Sequence, residues 1–509
     1  MIHRRQFLTR TALLSAGAIG FPHLGQSANK LIATKGQKPE RIIHMVADGM
    51  SWGTLTCADY FSHQLRGRGL TWTELFCQPA ARQGMMNMRS LNSMVTDSAA
   101  AASSWGSGSR VRNGALNQLP NGTKLKTLHE LFKENGWKRG LVTTTEITHA
   151  TPAGFAACTE DRDSADLIAA QYLDRRVDVL LGGGQKFFDA KKRKDKRDLK
   201  SDFTAAGYEV LENASQLDGA SVAWPWLGIF TESHLPFWLD QKSNPEFKRR
   251  VPTLPKMTKR ALQWLGRHDH FILQVEGGRV DHGAHNCDAA ATMHEMLAFD
   301  EALEEVLKFQ KQHPNTLVVV TSDHGNGNMG VNGTGEEYRD SSSKFKRMAE
   351  VKASFAEILK KLHKSPSDGK SEKSTDSNYV PSVKRIQEVI AETTGYKVSD
   401  RRAGWFQAYL AKKGTAVYEL MNSEVVQLGQ LMANHLAVGW AGNAHTADYV
   451  PLTAIGPGSE HFQGFIQNVD VFRHYTLLAG IDYRNPEGKL MACGPEASEV
   501  EPLGEYALA

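Results

Sequence analysis

The chain has 509 residues, 41% hydrophobic and 23% charged, which is the balance of an ordinary globular protein. This length allows one large α/β domain with an insertion, or two to three domains. The formal net charge is +4, and three of those charges lie in the first 28 residues, at Arg4, Arg5 and Arg10. Residues 186–200 hold eight Lys or Arg against three Asp but few aromatic residues, and we interpret them as a solvated loop. Charge therefore gives no case for a nucleic-acid partner.

The first 28 residues have the pattern of a targeting segment. His3–Leu8 reads His-Arg-Arg-Gln-Phe-Leu, a twin-arginine pattern, and an uncharged, mostly apolar run from Thr11 to Phe21 follows it. That run is too short to span a bilayer and fits the apolar part of a signal peptide. We therefore expect residues 1–28 to be a signal peptide, and the protein to be periplasmic or secreted through the twin-arginine pathway. No later segment has the sequence of a membrane span.

Strand-like and helical patterns alternate along the chain. Apolar or β-branched runs bounded by turn residues predict strands at Ile42–Ala47, Gly140–Thr145, Val177–Leu181, Phe271–Val275 and Leu317–Thr321. Helical patterns lie between them at Leu125–Glu134, Asp163–Leu173, Met257–Gly266 and Asp288–Lys311. This alternation predicts an α/β fold, a three-layer sandwich with a largely parallel central sheet and helices on both faces.

The alternation stops after Gly325, where the chain becomes rich in Gly, Asn and Ser. Residues 364–378 contain almost nothing apolar and predict a mobile loop. Two helical stretches and a further strand-like run follow, at Val383–Thr393, Ala416–His435 and Val450–Ile455. We interpret residues 330–435 as an insertion subdomain, and residues 29–329 and 436–509 as one catalytic domain.

The five cysteines are Cys57, Cys77, Cys158, Cys287 and Cys493. They form neither a CxxC pair nor a zinc-finger spacing, and an odd number cannot all pair within one chain. A disulfide between Cys57 and Cys77 stays open, with buried free thiols as the alternative.

Candidate metal ligands follow the predicted strands. Glu276, Asp281 and His285 lie within ten residues, directly after Phe271–Val275. An Asp or His after a buried strand is costly unless it is paired or ligated, and the carboxyl ends of parallel strands meet in one crevice. The full ligand inventory is Asp48, Thr151, Glu276, Asp281, His285, Asp323, His324 and His445. Eight ligands are too many for one ion and predict two or three metals.

The candidate nucleophile is Ser98, which an alanine run follows. Because alanine strongly favours helix, we expect a helix to begin at this serine. Its hydroxyl would then lie at a helix N-terminus, where backbone N–H groups bind anions. The alternative is that Ser98 serves only as the N-cap of an Ala-rich helix.

Taken together and in this order, the motifs resemble those of the alkaline phosphatase family. They are Asp-Gly-Met, Asp-Ser-Ala-Ala, Ala-Thr-Pro-Ala, Glu-Gly-Gly-Arg-Val-Asp-His-Gly-Ala-His, Ser-Asp-His and Ala-His-Thr. The resemblance spans about residues 40–485, except for much of the insertion. It implies that the insertion is crown-like, that small phosphate monoesters are hydrolysed through a phosphoserine intermediate, and that the protein is a homodimer.

The resemblance also implies the cofactors, two zinc ions and one magnesium ion. The first zinc would be bound by Asp281, His285 and His445, the second by Asp48, Asp323 and His324, and the magnesium by Asp48, Thr151 and Glu276.

The remaining site residues implied by the resemblance act on phosphate or around the magnesium. Ser98 would be the nucleophile, and Arg162 would bind two phosphate oxygens with Asp97 orienting it. His149 and His282 occupy positions that vary within the family, and this histidine pair resembles animal enzymes. We expect both to lie around the magnesium site without binding the metal directly, which leaves the metal preference of that site open.

Three other functions remain as alternatives. A sulfatase needs an arginine at a fixed spacing, and the arginine of Cys77–Arg82 lies one residue too far along. A metal-dependent phosphodiesterase or phosphonate hydrolase of the same superfamily commonly has Thr in place of Ser98. A catalytically inactive exported phosphate-binding protein would be expected to lack a ligand or the nucleophile, and this chain lacks neither.

Overall fold

The computed structural model describes residues 38–364 and 379–489. The predicted signal peptide, and all but the first residue of the predicted mobile loop 364–378, lie outside the described residues. The strands are β1 (Arg41–Ala47), β2 (Arg82–Asn87), β3 (Lys138–Glu146), β4 (Val179–Gly183), β5 (Glu209–Leu211), β6 (Trp226–Ile229), β7 (Phe271–Gly277), β8 (Thr316–Thr321), β9 (Gly325–Asn326), β10 (Gly330–Val331), β11 (Val438–Gly439), β12 (His445–Thr446), β13 (Val450–Ile455) and β14 (Gly464–Gln467).

The α-helices between these strands vary from one turn to seven. They are α1 (Trp52–Arg66), α2 (Thr71–Leu75), α3 (Ser98–Ser107), α4 (Leu128–Glu134), α5 (Ala150–Ala156), α6 (Ala165–Asp174), α7 (Leu199–Ala205), α8 (Ala214–Gly219), α9 (Trp238–Ser243), α10 (Pro245–Arg250), α11 (Leu254–Leu265), α12 (Arg279–His285), α13 (Ala289–Gln312), α14 (Ser341–Lys346), α15 (Phe355–His363), α16 (Val383–Thr394), α17 (Asp400–Leu410), α18 (Glu424–Leu436) and α19 (Asn468–Ala479). Within residues 38–364 and 379–489, no helix has both the length and the apolar character that a bilayer crossing requires.

Ten strands form one sheet in the order β14-β2-β13-β8-β1-β7-β3-β4-β6-β5. Only β13 runs antiparallel to its neighbours β2 and β8, and the other pairs are parallel. Successive side chains of a strand point to opposite faces. Ile43 and Met45 of β1 therefore join a hydrophobic cluster with α1, α11 and α13, whereas Ile42 and Val46 join another with α3, α5 and α19. The predicted three-layer α/β sandwich is confirmed.

Helices α14 to α18 lie in the range predicted as an insertion. Their residues Phe355, Ile386 and Leu428 belong to the same hydrophobic cluster as one face of β1. The prediction of one helix over Ala416–His435 was wrong at its start. Helix α18 begins only at Glu424, because the side chain of Ser423 accepts a hydrogen bond from the Val426 N–H and caps the helix there.

The cysteine alternatives are resolved for four of the five residues. Cys57, Cys77, Cys158 and Cys287 are all free thiols, and only Cys77 among them is exposed. Cys493 lies outside the described residues.

Two glycines bring helices α3 and α5 into close contact. A Cβ atom on Gly106 would lie 1.9 Å from the carbonyl oxygen of Gly154, and one on Gly154 would lie 2.4 Å from the Cβ of Ala102. Helix α3 carries Ser98 and helix α5 carries Thr151. The distance between the candidate nucleophile and a candidate metal ligand is therefore set by backbone contact at these glycines.

Gly106→Ala should lower the free energy of unfolding by about 1–3 kcal/mol, because the added methyl group has to push two buried helices apart. Chemical denaturation measures this change. Gly404→Ala is the matched control, since Gly404 lies in α17 with no atom within 4 Å of an added Cβ. We expect the control to raise stability by about 0.5–1 kcal/mol through helix propensity. Equal effects of the two substitutions would contradict the packing argument.

Candidate active site

The candidate ligands converge at one edge of the central sheet. Asp48 follows β1, Glu276 lies near the end of β7, and Asp323 follows β8, and these three strands are neighbours in the order β8-β1-β7. His445 arrives from elsewhere in the chain, because the short strand β12 pairs with β9 and places His445 opposite Asn326. Seven of the eight predicted ligands thus lie at this edge or on the segments that follow its strands, and His445 joins them from β12.

Three groups of side chains each place their potential ligand atoms within 4.8 Å of one another. They are Asp281, His285 and His445; Asp48, Asp323 and His324; and Asp48, His149 and Glu276. The first two groups have the composition predicted for the two zinc sites. The third contains two members of the predicted magnesium set, and the Thr151 hydroxyl of that set donates to Asp48 Oδ2 at 3.3 Å. Asp48 belongs to both the second and the third group, so these two groups share one carboxylate.

Three histidines of the site direct their Nδ1 atoms to backbone carbonyls. The pairs are His285 with Asn443 at 2.6 Å, His324 with Gly325 at 3.3 Å, and His445 with Thr96 at 2.9 Å. A carbonyl oxygen only accepts, so each Nδ1 carries a proton and each Nε2 faces the carboxylates of the site, as in metal-binding histidines. The Nε2 atoms of His285 and His445 lie 3.1 Å apart. With both rings neutral, the lone pairs of these two nitrogens would repel each other, and a cation between them would remove that repulsion.

The carboxylates of the site are buried and incompletely paired. Asp48 Oδ1 and Glu276 Oε1 accept no hydrogen bond although each is buried, and buried Asp323 Oδ2 has the His324 Nε2 3.1 Å away. Burial, reinforced by the charges of Asp323 and Asp281, raises the pKa of Asp48 well above its ordinary value. Burial also raises the pKa of Glu276 to about 7. Buried carboxylate oxygens without donors are costly, and metal ions would satisfy them, so these residues fit the metals that the sequence implies.

Ser98 begins helix α3, and Asp97 is the N-cap, with its Oδ1 accepting from the Ala100 N–H at 2.8 Å. The alternative that Ser98 serves only as a cap is therefore wrong. Its hydroxyl is free of the capping role and lies 3.1 Å from His324 Nε2. In the neutral tautomer with its proton on Nδ1, His324 accepts a hydrogen bond from this hydroxyl.

Arg162 connects the nucleophile helix to the third group of ligands. Its Nη1 donates to Asp97 Oδ2 at 3.1 Å, which is the orienting contact the sequence predicted. Its Nη2 lies 3.3 Å from His149 Nε2, and because guanidinium only donates, that nitrogen accepts. The proton of His149 is then on Nδ1, which lies 4.0 Å from Glu276 Oε1. In this tautomer Nδ1 is a donor and not a ligand, which favours the prediction that His149 does not bind metal directly.

His282 belongs to a cluster of rings beside the third group. Its Nδ1 accepts from Arg279 Nη1 at 2.6 Å, and its ring centroid lies 4.5 Å from that of His234 and 5.7 Å from that of His149. Burial, followed by the charge of Arg279, lowers the pKa of His282 well below its ordinary value. His282 is thus a neutral neighbour of the site.

Several residues that hold the ligands were missed in the sequence. Thr143 donates to Glu276 Oε2, and Asn326 Nδ2 donates to Asp281 Oδ1 at 2.7 Å. Arg279 and His234 hold His282 in place. Asn326 could have been found in the sequence, because it is a polar residue only two positions after the predicted ligand His324. Thr143 looks like any other strand residue in the sequence, and its role is recognisable only once β3 is seen to lie beside β7.

Buried carboxylates and imidazole lone pairs beside a serine hydroxyl, at the carboxyl ends of parallel strands, are the features of a metal-dependent α/β hydrolase. A family model described as alkaline phosphatase matches residues 40–481. The chain is 31% identical over 474 residues to alkaline phosphatase 4 of Bacillus subtilis, covering 91% of this chain and 94% of that protein. The chain therefore belongs to the alkaline phosphatase family, and it is a phosphatase.

Solved structures agree with this assignment. The crystal structure of Thermus thermophilus alkaline phosphatase superposes with a TM-score of 0.80 at 33% identity, covering 89% of this chain and 94% of that one. A cold-active alkaline phosphatase from a psychrophilic Shewanella species has a TM-score of 0.71 at 28% identity, covering 86% and 99%.

Proposed function

We propose that the protein hydrolyses phosphate monoesters through a phosphoserine intermediate on Ser98, at a centre of two zinc ions and one magnesium ion. The observation that carries this proposal is the position of the Ser98 hydroxyl. It lies at the N-terminus of a ten-residue helix, among buried ligand groups, with the Arg162–Asp97 pair beside it.

The residues that would hold the ions are those of the three groups. Asp281, His285 and His445 would hold the first zinc, Asp48, Asp323 and His324 the second, and Asp48, Thr151 and Glu276 the magnesium. When bound, such ions supply Lewis acidity that lowers the pKa of a nearby hydroxyl and balances charge on phosphoryl oxygens.

The residues of the chain would then bind, orient and attack the phosphoryl group. Arg162 presents two N–H groups that match two phosphate oxygens, and the N-terminal dipole of α3 favours the same anion. Ser98 loses its proton to solvent and attacks phosphorus in line, forming the Oγ–P bond as the ester oxygen leaves with its electron pair and takes up a proton from solvent. Water then attacks the phosphoserine, restores the serine hydroxyl and releases inorganic phosphate.

Phosphate release from a panel of monoesters, with and without a chelator, tests this proposal. We expect release that chelation abolishes and zinc with magnesium restores, and more than one zinc per chain by elemental analysis. Preferential cleavage of phosphodiesters or phosphonates would favour the alternative hydrolase of the same superfamily. Phosphate binding without turnover would favour an inactive binding protein.

We also propose that the protein is exported by the twin-arginine pathway and that two copies associate. The export proposal rests on residues 1–28, and fractionation of expressing cells tests it.

Association is supported by an apolar patch beside β14 and β2, the outermost strands on one side of the central sheet. Trp52, Met85, Tyr449 and Phe465 form this patch and are 40–51% exposed. The rings of Tyr449 and Phe465 lie 4.9 Å apart, Phe465 is paired with Met85 between β14 and β2, and Trp52 Nε1 donates to the Tyr449 carbonyl. A contiguous exposed patch of this kind is typical of an interface.

Phe465→Asp should convert the dimer to a monomer, because a carboxylate would be buried without a partner at the interface. Light scattering after size-exclusion chromatography measures the mass of each species. Leu167→Asp is the control, since Leu167 is similarly exposed, at 48%, on helix α6 away from the patch. A monomeric wild type, or a dimeric Phe465→Asp variant, would contradict the proposed interface.

A further inference from the structure

The turn that contains Asn113 and Gly114 contacts the loop before Ser98 through its side chain and its backbone. Asn113 Oδ1 accepts from the Asp97 N–H at 3.1 Å, and Asn113 Nδ2 donates to the Val95 carbonyl at 3.0 Å. Rotating this amide by half a turn would place its NH2 group against the Asp97 N–H and its oxygen against the Val95 carbonyl, and neither pair could form a hydrogen bond. The side chain of Asn113 therefore has one orientation, and it holds the backbone on both sides of Thr96.

Gly114 bonds to both members of the ion pair that would bind phosphate. Its N–H donates to Asp97 Oδ2 at 2.8 Å, and its carbonyl accepts from the Arg162 N–H at 2.7 Å. Asp97 Oδ2 is the same oxygen that accepts from Arg162 Nη1. The backbone of one residue thus sets the positions of the carboxylate, of the arginine main chain and, through them, of the guanidinium.

The backbone conformation of Gly114 allows its N–H to bond to Asp97 while its carbonyl bonds to Arg162. Its φ is +85°, in the left-handed region, and an added Cβ would meet no atom within 4 Å. A larger residue is therefore excluded by backbone strain and not by lack of space.

We propose that Asn113 and Gly114 are positioning residues for the phosphate-binding arginine, acting on Arg162 through Asp97 and through the Arg162 backbone. This inference rests on the proposed function, because it assumes that Arg162 binds the phosphoryl group. It predicts that the turn controls affinity for phosphate more than the rate of the chemical step, since Asp97 Oδ1 still caps the helix that carries Ser98.

Gly114→Ala, compared with Gly122→Ala, tests the inference on the metal-loaded protein. Gly122 has a φ of +84° and equally open surroundings, but its N–H donates to the Leu119 carbonyl of the same turn instead of to a residue of the site. Both variants should lose similar thermal stability. Only Gly114→Ala should raise KM and the inhibition constant of inorganic phosphate. We expect an increase of about tenfold, because a charge-assisted hydrogen bond is weakened, and a smaller change in kcat. Calorimetric titration with inorganic phosphate should give the same ratio of variant to wild-type dissociation constants without turnover.

Two further variants separate positioning from a general loss of structure. In an Arg162→Ala background, Gly114→Ala should change phosphate affinity less than twofold, because its effect passes through the missing guanidinium. Asn113→Ala, which removes both amide bonds, should weaken phosphate binding in the same direction and covers the case in which Gly114→Ala does not fold. Equal phosphate affinities of Gly114→Ala and Gly122→Ala, or full additivity with Arg162→Ala, would overturn the inference. A wild type that binds phosphate but does not turn over monoesters would sink the proposed function and leave this comparison intact.

Discussion

Ser98→Ala should reduce phosphate release by about three orders of magnitude or more, because it removes the atom that attacks phosphorus. It should also abolish the labelled phosphoprotein that acid quenching traps when the wild type is incubated with phosphate. The side chain is buried and small, so the loss of one oxygen should leave the fold intact.

Ser107→Ala is the matched control for the nucleophile. Ser107 is also buried on helix α3, but its hydroxyl donates to the Ser103 carbonyl at the opposite end of the helix. We expect wild-type rates and normal trapping from this control. If Ser98→Ala released phosphate as fast as Ser107→Ala, the covalent mechanism would be wrong.

Asp48→Asn should reduce metal content and activity more than any other single ligand change, because Asp48 belongs to two of the three groups. We expect a loss of more than one metal per chain by mass spectrometry of the pure protein. Activity should fall by about two to three orders of magnitude, since both metal positions beside Ser98 and Arg162 are weakened. Glu276→Gln is the comparison, and it should affect only the third group.

In the metal-free protein we expect Asp48→Asn to stabilise the fold. Burial, together with repulsion from Asp323 and Asp281, raises the pKa of Asp48 in the wild type, so an ionisable group at this position destabilises the metal-free fold and asparagine removes that cost. Metal-free Asp48→Asn should therefore unfold at a higher temperature than metal-free wild type, while the order reverses with metal added. An unchanged order in both states would show that these carboxylates do not form a cation site.

Much of the fold and of the ligand set was predictable because both follow from local sequence. The apolar runs that became β1, β3, β7 and β8 are buried on both faces, and such strands need no partner information to be recognised. Asp48 follows β1 directly and Asp323 follows β8 after one residue, and parallel strands bring their carboxyl ends together. The error at Ala416–His435 arose because helical periodicity continues through a segment whose true start is set by one capping serine.

The sequence by itself determined the class of the sheet, the residue types of the metal groups and the identity of the candidate nucleophile. These depend on periodicity, on chain order and on short motifs, which are local properties. Only the tertiary structure decided which imidazole nitrogens face the carboxylates of the site and which residue caps the helix of Ser98. It also decided that Asn113 and Gly114 hold the Asp97–Arg162 pair. The physical reason is that backbone N–H and carbonyl groups make most of these contacts, and every residue except proline carries both, so no residue type marks them in advance.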